Sequence, residues 1–202
     1  MANNLEKIAN KALIKLGKRP SVTSLKGTAN EEKIFAEILP EVISNSIRKY
    51  RPNCCVSRAI LSQDPNYIPR WGFASGYKYP KNMVKLLEID NNTWFPDDFP
   101  IEGEWILTHN PKPSEPGDKA SELRVKYLEN KPVEMWDDDF VNLVALEAAV
   151  EVAPVIDQTR EAMIIALRNS EADRWSADNA MENGFEVEEY DPLFGVMHKI
   201  RS

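Results

Sequence analysis

The stretch of residues 136–183 constrains the fold most, because apolar residues in its first half cover nearly the whole circumference of a helix. A helix is predicted over residues 139–153, and apolar side chains on almost every side require that it be buried. Asp137 to Asp139 lie at its start and are predicted to supply its N-cap and negative charge that complements the helix dipole. The apolar positions of this helix are Phe140, Leu143, Val144, Leu146, Ala148, Val150 and Val152.

Pro154 is predicted to divide this stretch into two helices, because proline lacks the backbone N–H that a helix interior needs. The second helix is expected to begin at Gln158 or Thr159 and to end at Asn183, before Gly184. About 25 helical residues extend roughly 37 Å, so the polar second half is predicted to project beyond the core and to meet another chain. The apolar positions, which recur at helical spacing and become sparser along the helix, are Met163, Ile164, Ala166, Leu167 and Trp175.

Two more helices are predicted near the N-terminus. Residues 5–16 carry apolar side chains at the i, i+3, i+4, i+7 spacing of an amphipathic helix. The next helix is predicted to begin with a capping box from Thr28 to Glu31 and to keep one apolar stripe as far as Tyr50. Pro40 lies inside that stripe, and because the stripe continues beyond it, we expect a kink rather than an end.

Between residues 53 and 130, short alternating runs replace the helical period, and prolines and aromatic residues become frequent. Strands are predicted near residues 55–61, 83–89, 105–108 and 123–128. Long proline-rich connections separate them, which favours a small antiparallel sheet with surface loops. In the second strand, alternation predicts one face with Val84, Leu86 and Glu88 and an opposite face with Met83, Lys85, Leu87 and Ile89.

The order of these elements predicts an α+β fold, in which the N- and C-terminal thirds form a helical bundle with an inserted small antiparallel β-sheet region. The predicted divisions are N-terminal helices in residues 1–52, the β region with its proline-rich loops in 53–131, and C-terminal helices in 132–184. Residues 185–202 are predicted to be a tail that docks either on its own body or on a partner, because they are rich in apolar residues but lack a steady helical period.

Composition limits the classes of protein to which the chain can belong. Its 202 residues carry a formal charge of −7, whereas a general nucleic-acid binder normally presents a basic surface. No apolar run reaches the length of roughly 18 residues that a transmembrane helix needs, so no membrane partner is predicted. Cys54 and Cys55 are adjacent and neighbouring cysteines rarely pair, which favours a reducing compartment. Cys54 is interpreted as a buried structural thiol.

No group of residues in the sequence has the spacing of an active site. His109 and His198 are far from each other and from the cysteines, so no zinc site is predicted. Glycine-rich phosphate-binding loops, nucleophile elbows and HExxH motifs do not occur. We therefore expect no catalysis and no cofactor or metal. Trp71, Trp94 and Trp105 are assigned to the core and to interfaces, because basic residues are not interleaved with them.

The C-terminal part of the chain supplies the candidate assembly interface. Its residues are apolar or aromatic and lie on the projecting helix or in the tail, where the chain is long enough to reach a partner. The candidate interface residues are Trp175, Phe185, Tyr190, Leu193, Phe194 and Met197.

Four passages, taken in order, resemble the tail tubular protein A family, the head-to-tail adaptors or gatekeepers of short-tailed bacteriophages. Residues 9–54 contain an amphipathic helix that ends in Leu-Gly, a turn with proline and Ser-Leu, and a long second helix. Residues 73–90 contain the aromatic, tyrosine and proline pattern of a family strand. Residues 101–108 read IEGEWILT, and residues 127–159 carry a strand, a tryptophan and aspartate cap and an apolar helix. The order and spacing of the passages, rather than any single motif, carry the resemblance.

The resemblance implies a structural virion protein and not an enzyme. Members of the family form a ring, typically of twelve copies, under the portal protein. The ring extends the DNA channel and provides the platform to which the tail nozzle attaches. The implied partners are identical copies, the portal protein, the tail nozzle protein and passing genomic DNA that is not read by sequence. The implied location is the head-to-tail junction of the virion, after synthesis in the host cytoplasm. Our own hypothesis is that the β region faces the tail or an adjacent subunit.

Three other functions remain open at the level of sequence. A head-completion or connector protein of a long-tailed phage or gene transfer agent would share the helical bundle. A virion-associated cell-wall hydrolase would need two carboxylates in a cleft, and Asp and Glu total 32 residues, so composition allows it. A cellular scaffolding or binding module is the third alternative.

Overall fold

The computed structural model describes residues 4–64, 66, 67, 69, 71–89, 100–108 and 122–183. In this part of the chain, helices come first, strands follow and helices return, so the predicted α+β class is confirmed. The helices are α1 (Asn4–Lys15), α2 (Asn30–Tyr50), α3 (Asp138–Ile156) and α4 (Glu161–Asn183).

Helix α3 lies at the centre of the helical body and packs against α1, α2 and α4. Its residues are apolar on nearly all sides, as the sequence predicts, and Val150 is the one predicted position that is only half-buried. Aromatic contacts extend this packing: the ring of Phe140 lies 5.0 Å from that of Trp136 and 5.7 Å from that of Trp175. Burial of the apolar faces is the main source of stability in such a body.

The cap of α2 differs from the predicted one. The helix begins at Asn30, so the third helical position is Glu32 and not Glu31. The Glu32 carboxylate accepts hydrogen bonds from the backbone N–H groups of Ala29 (3.2 Å), Thr23 (3.1 Å) and Ser24 (3.2 Å), and it is 6% exposed. These bonds, led by those from Thr23, lower the pKa of Glu32. The predicted capping box is therefore wrong by one residue, and its carboxylate, that of Glu32, also bonds the loop before the helix.

Two prolines lie inside helices. Helix α2 continues through Pro40 to Tyr50, as predicted. Helix α3 also continues through Pro154 to Ile156, so the predicted break at this proline is wrong. Pro154 is exposed and lies in the last turn, so the helix lacks the hydrogen bond from residue 154 to the Val150 carbonyl and continues for only two more residues.

The chain reverses after Pro154 at Asp157, which has φ −160°, and a 3-10 turn over Gln158–Arg160 leads into α4. An ion pair of 3.0 Å between Lys18 and Asp157 ties this reversal to the loop after α1. At the other end of α3, Asp137 occupies the N-cap position, but its side chain makes no capping hydrogen bond. The aspartates at this end therefore act through their position and their negative charge, and Asp138 and Asp139 lie in the first turn of the helix.

Six strands are present in the described residues, and four of them match the predicted strands to within a residue. The two that were not predicted are β2, whose Ser-Gly start has low strand propensity, and β4, which has only two residues before a turn at Gly103 (φ +62°). The strands are β1 (Val56–Ser62), β2 (Ser75–Lys78), β3 (Met83–Ile89), β4 (Ile101–Glu102), β5 (Trp105–Thr108) and β6 (Glu122–Glu129).

The strands form two three-stranded antiparallel sheets rather than the one that was expected. Sheet A has the order β1-β6-β3, and sheet B has the order β2-β5-β4. An isolated bridge between Gln63 and Tyr77 joins the end of β1 to β2. Register shifts in β3 break the predicted alternation, because Leu86 and Ile89 are both buried although they were assigned to opposite faces.

The β region has a hydrophobic cluster of its own, next to that of the helical body. Val84 and Leu87 on β3 pack against the body and connect the two. The strands that enter and leave the region are neighbours, since β1 pairs with β6 and the Lys131 ammonium donates to the Val56 carbonyl at 2.7 Å. The cluster consists of Tyr77, Leu86, Ile89, Ile106, Leu123, Val125 and Tyr127.

Candidate assembly surface

Glu147 fixes the three largest helices to one another. It is the one carboxylate in an otherwise apolar part of α3, and it accepts hydrogen bonds from the Tyr50 hydroxyl and the Lys49 ammonium on α2. Arg168 on α4 approaches both carboxylate oxygens at 3.3 Å. Burial raises the pKa of Glu147, but the bonds from Tyr50 and Lys49 and the charges of Lys49 and Arg168 outweigh it and hold the pKa below its ordinary value.

Trp175, the first predicted interface residue, contacts its own subunit. The indole N–H donates to the Tyr50 carbonyl at 3.3 Å, and the ring packs against the body core beside Phe140. Ala172 packs against the same core, so α4 lies on the body at least as far as Trp175. The prediction that the whole second half of this helix projects is therefore wrong. That Trp175 also contributes to an interface with another subunit stays a prediction.

The side of α4 that faces away from the body carries an apolar stripe, which we call the α4 stripe: Ala162, Met163, Ala166 and Leu167. At 100° per residue, Ala162 and Ala166 lie about 160° from the buried Ile164, Met163 about 100° and Leu167 about 60°, so the stripe runs from the far side of the helix to its flank. Met163 is 53% exposed and Leu167 is 36% exposed. Three of the apolar positions that the helical period identified, Met163, Ala166 and Leu167, thus face outward rather than into the core.

Other exposed apolar side chains lie on both parts of the molecule. Val155, in the last turn of α3, is 70% exposed, and Ile14 on α1 is also exposed. In the β region, Trp71 is 85% exposed. Trp105 is instead stacked on Tyr67, with ring centroids 4.0 Å apart and planes at 15°. Of the predicted core and interface tryptophans, Trp71 is therefore available for an interface and Trp105 contributes to packing.

The remaining candidate residues lie outside the described part of the chain. This holds for five of the six interface positions, for Trp94 and for both histidines. Their predicted roles stay predictions. The five interface positions are Phe185, Tyr190, Leu193, Phe194 and Met197.

The cysteine pair is placed at the junction of the body and sheet A. Cys55 is fully buried, whereas Cys54 is half-buried, so the interpretation of Cys54 as a buried thiol applies better to its neighbour. The hydrogen bond from the Cys55 thiol lowers the pKa of Cys54, and the same bond and burial raise the pKa of Cys55. No His, Cys, Asp and Glu side chains of the described residues are grouped as metal ligands.

A groove of about 260 Å³ between α2 and α3 carries three carboxylates, those of Glu41, Glu147 and Glu151. Glu147 is held there by Lys49 and Arg168, so its charge is already compensated. Sequence reasoning did not single out Glu147. The available signal was its position as a lone charged residue within a buried apolar run, where a carboxylate requires a partner.

Among the described helices, none combines the length and the apolarity that a bilayer span requires. No protein-family model matches the sequence. A search of curated proteins gives no match either.

Proposed function

We propose that this chain is a structural virion protein, a head-to-tail adaptor that assembles as a ring under the portal of a short-tailed bacteriophage. In this role it extends the DNA channel and holds the tail nozzle. The resemblance of four ordered passages to the tail tubular protein A family supports the proposal. So does the architecture, in which helices from both ends of the chain form one body and the β region leaves it at a single place.

The α4 stripe is the observation that carries the proposal. Helix α4 is attached to its own body through Ile164, Arg168 and Trp175, so its orientation is fixed. A fixed helix with apolar side chains on its outer side presents a preformed surface to another chain, and little ordering entropy is lost on binding. Exposed contiguous apolar surface of this kind is typical of subunit interfaces.

A ring requires two different surfaces on each copy, because each subunit contacts one neighbour on each side. The α4 stripe is one surface, and the second is proposed to include Val155 or Ile14, which are exposed elsewhere on the body. A lasting contact needs on the order of 800 Å² from each partner. The chain's net charge of −7 suits a channel wall along which DNA slides, since an acidic wall does not retain phosphates.

The test is whether the stripe controls assembly. Met163→Glu and Leu167→Glu would each place a charge in the proposed interface, and we expect either change to prevent ring formation with the portal. Ser176→Glu, at an exposed position of the same helix, is the matched control and should leave assembly intact. Electron microscopy of the purified chain mixed with its portal gives the copy number and position. Rings that form equally well with all three variants would contradict the proposed interface.

A further inference from the structure

The outer face of sheet A carries a row of basic side chains. Arg58 on β1 is paired directly with Lys126 on β6, and Ile60 is paired with Arg124. On the other side of β6, Glu88 of β3 is paired with Lys126, and their charged groups are 2.6 Å apart. We call this surface, made of these five residues, the basic sheet face. Its sign is opposite to that of the chain as a whole.

The pair formed by Arg58 and Lys126 is unfavourable without a partner, because like charges directly across two strands repel each other. Glu88 compensates Lys126, whereas Arg58 is exposed and forms no ion pair with the described residues. Glu122 lies at the end of β6, where it is paired with Ser62 and not with Arg58. The register therefore leaves a site for an additional anionic group beside Arg58.

The basic sheet face is concave as well as charged. The side chains line a groove of about 370 Å³, in which Ile60 is 61% exposed next to the charged groups. A duplex phosphate backbone would gain nothing from the exposed Ile60 side chain. A peptide that combines acidic and apolar side chains matches both the cations and the exposed Ile60 side chain.

Residues 185–191 of the chain have this pattern. Their sequence FEVEEYD combines four carboxylates with Phe185, Val187 and Tyr190. They also follow α4 at a suitable place: the contact of Trp175 with Tyr50 brings the second half of α4 to the end of α2, six residues before β1 begins. From the end of α4, the eight residues 184–191 can extend roughly 26 Å at about 3.3 Å per residue, and Arg58 lies two residues into β1.

We propose that the basic sheet face binds the acidic-aromatic segment 185–191 of the same chain. The Arg58 guanidinium pairs with a carboxylate of this segment, and Ile60 contacts its apolar side chains. The segment thereby covers a face of the β region in the free subunit. This inference does not depend on the proposed function, because it concerns a contact within one chain.

The test uses a protein truncated after Asn183 and a fluorescein-labelled peptide of residues 184–194, with binding followed by fluorescence anisotropy. The truncated protein should bind the peptide, and the full chain should bind it about tenfold more weakly because its own segment occupies the face. Arg58→Glu in the truncated protein should weaken binding by about tenfold. Lys33→Glu, at an exposed position on α2, is the matched control and should not change it.

A charge exchange keeps the test independent of folding defects. Arg58→Glu converts a repulsive cross-strand pair into an attractive one, so the fold should be preserved. A peptide with lysines in place of Glu186, Glu188 and Glu189 should bind this variant better than it binds the parent protein. Equal binding by the parent and Arg58→Glu would overturn the inference. Equal binding of the peptide by the truncated and full chains, or tighter binding of duplex DNA than of the peptide, would overturn it as well.

Discussion

At the scale of single residues, Glu147 has the largest consequence for stability. Its carboxylate joins α2, α3 and α4 through Tyr50, Lys49 and Arg168. Removing one member of a mostly buried charge network costs more than removing an exposed ion pair, because the remaining charges lose their partner in a poorly solvated place. The same carboxylate is also responsible for an acid-dependent part of the stability.

Glu147→Gln is expected to lower the free energy of unfolding by about 1–3 kcal/mol at pH 7. The pKa of Glu147 is lower in the folded chain than in the unfolded one. Its contribution is therefore complete above the unfolded value of about 4.3, and it is lost as the pH falls through the folded value. Urea unfolding at a series of pH values should show the two proteins converging under acid conditions.

The control for this change is Glu151→Gln, one turn further along α3, where the side chain is exposed. It should change the free energy of unfolding by less than about 0.5 kcal/mol at any pH. A difference between Glu147→Gln and the parent that stays constant down to strongly acid pH would show that the network does not titrate through Glu147.

At the scale of secondary-structure elements, the two prolines inside helices show when an apolar pattern predicts where a helix ends and when it does not. The apolar stripe on both sides of Pro40 was sufficient to predict a continuous α2, because burial of a long stripe outweighs the loss of one helical hydrogen bond. At Pro154 the apolar pattern ended nearby, so the sequence offered nothing to distinguish a helix that ends at the proline from one that ends two residues later.

Pro40→Ala is expected to stabilise the protein, because alanine restores a backbone N–H and avoids a propensity penalty of roughly 3 kcal/mol in a helix interior. The neighbouring residues are packed around proline, so we expect a net gain of about 1–2 kcal/mol in urea unfolding. Pro154→Ala, in the last turn of α3, should gain less. A loss of stability in Pro40→Ala would show that proline at this position is required for packing between α2 and α3.

The outward side of α4 could not be predicted from its spacing. Met163, Leu167 and Ile164 all fit a helical period, but only contact with α3 decides which of them faces the body. Ile164 is buried, and the other two are exposed. The strand β2 was missed for a related reason, since its Ser-Gly start is acceptable only because Gly76 leaves room for the Tyr67 ring. Tertiary contacts, rather than local preference, select both features.

At the scale of the whole molecule, the helical body and the β region each have their own cluster of buried apolar residues. The cluster in the body includes α1, α2, α3 and Ile164 of α4, whereas the cluster in the β region is smaller and lies between short strands. Local unfolding begins where fewer apolar contacts are buried. The alternation of helical and strand patterns along the sequence was sufficient to predict this division.

Hydrogen exchange should therefore be faster in the β region than in the body. We expect backbone amides of β2 and β5 to exchange at lower protection than those of α3, when peptides are measured by mass spectrometry under native conditions. Ile106→Ala, in the β cluster, should increase exchange in β2 and β5 and leave α3 unchanged. Equal protection in α3 and β5, with both parts exchanging only by global unfolding, would contradict separate stability of the two parts.

The adjacent positions of β1 and β6 have a further consequence for how such a protein can diversify. The chain departs from the helices and returns to them at almost the same point, with Val56 and Lys131 joined by a hydrogen bond. Lengthening or exchanging the polypeptide between them costs a loop-closure entropy that grows only slowly with its length. Mutation and recombination can thus change the contacts that the β region makes, while the helical body stays the same.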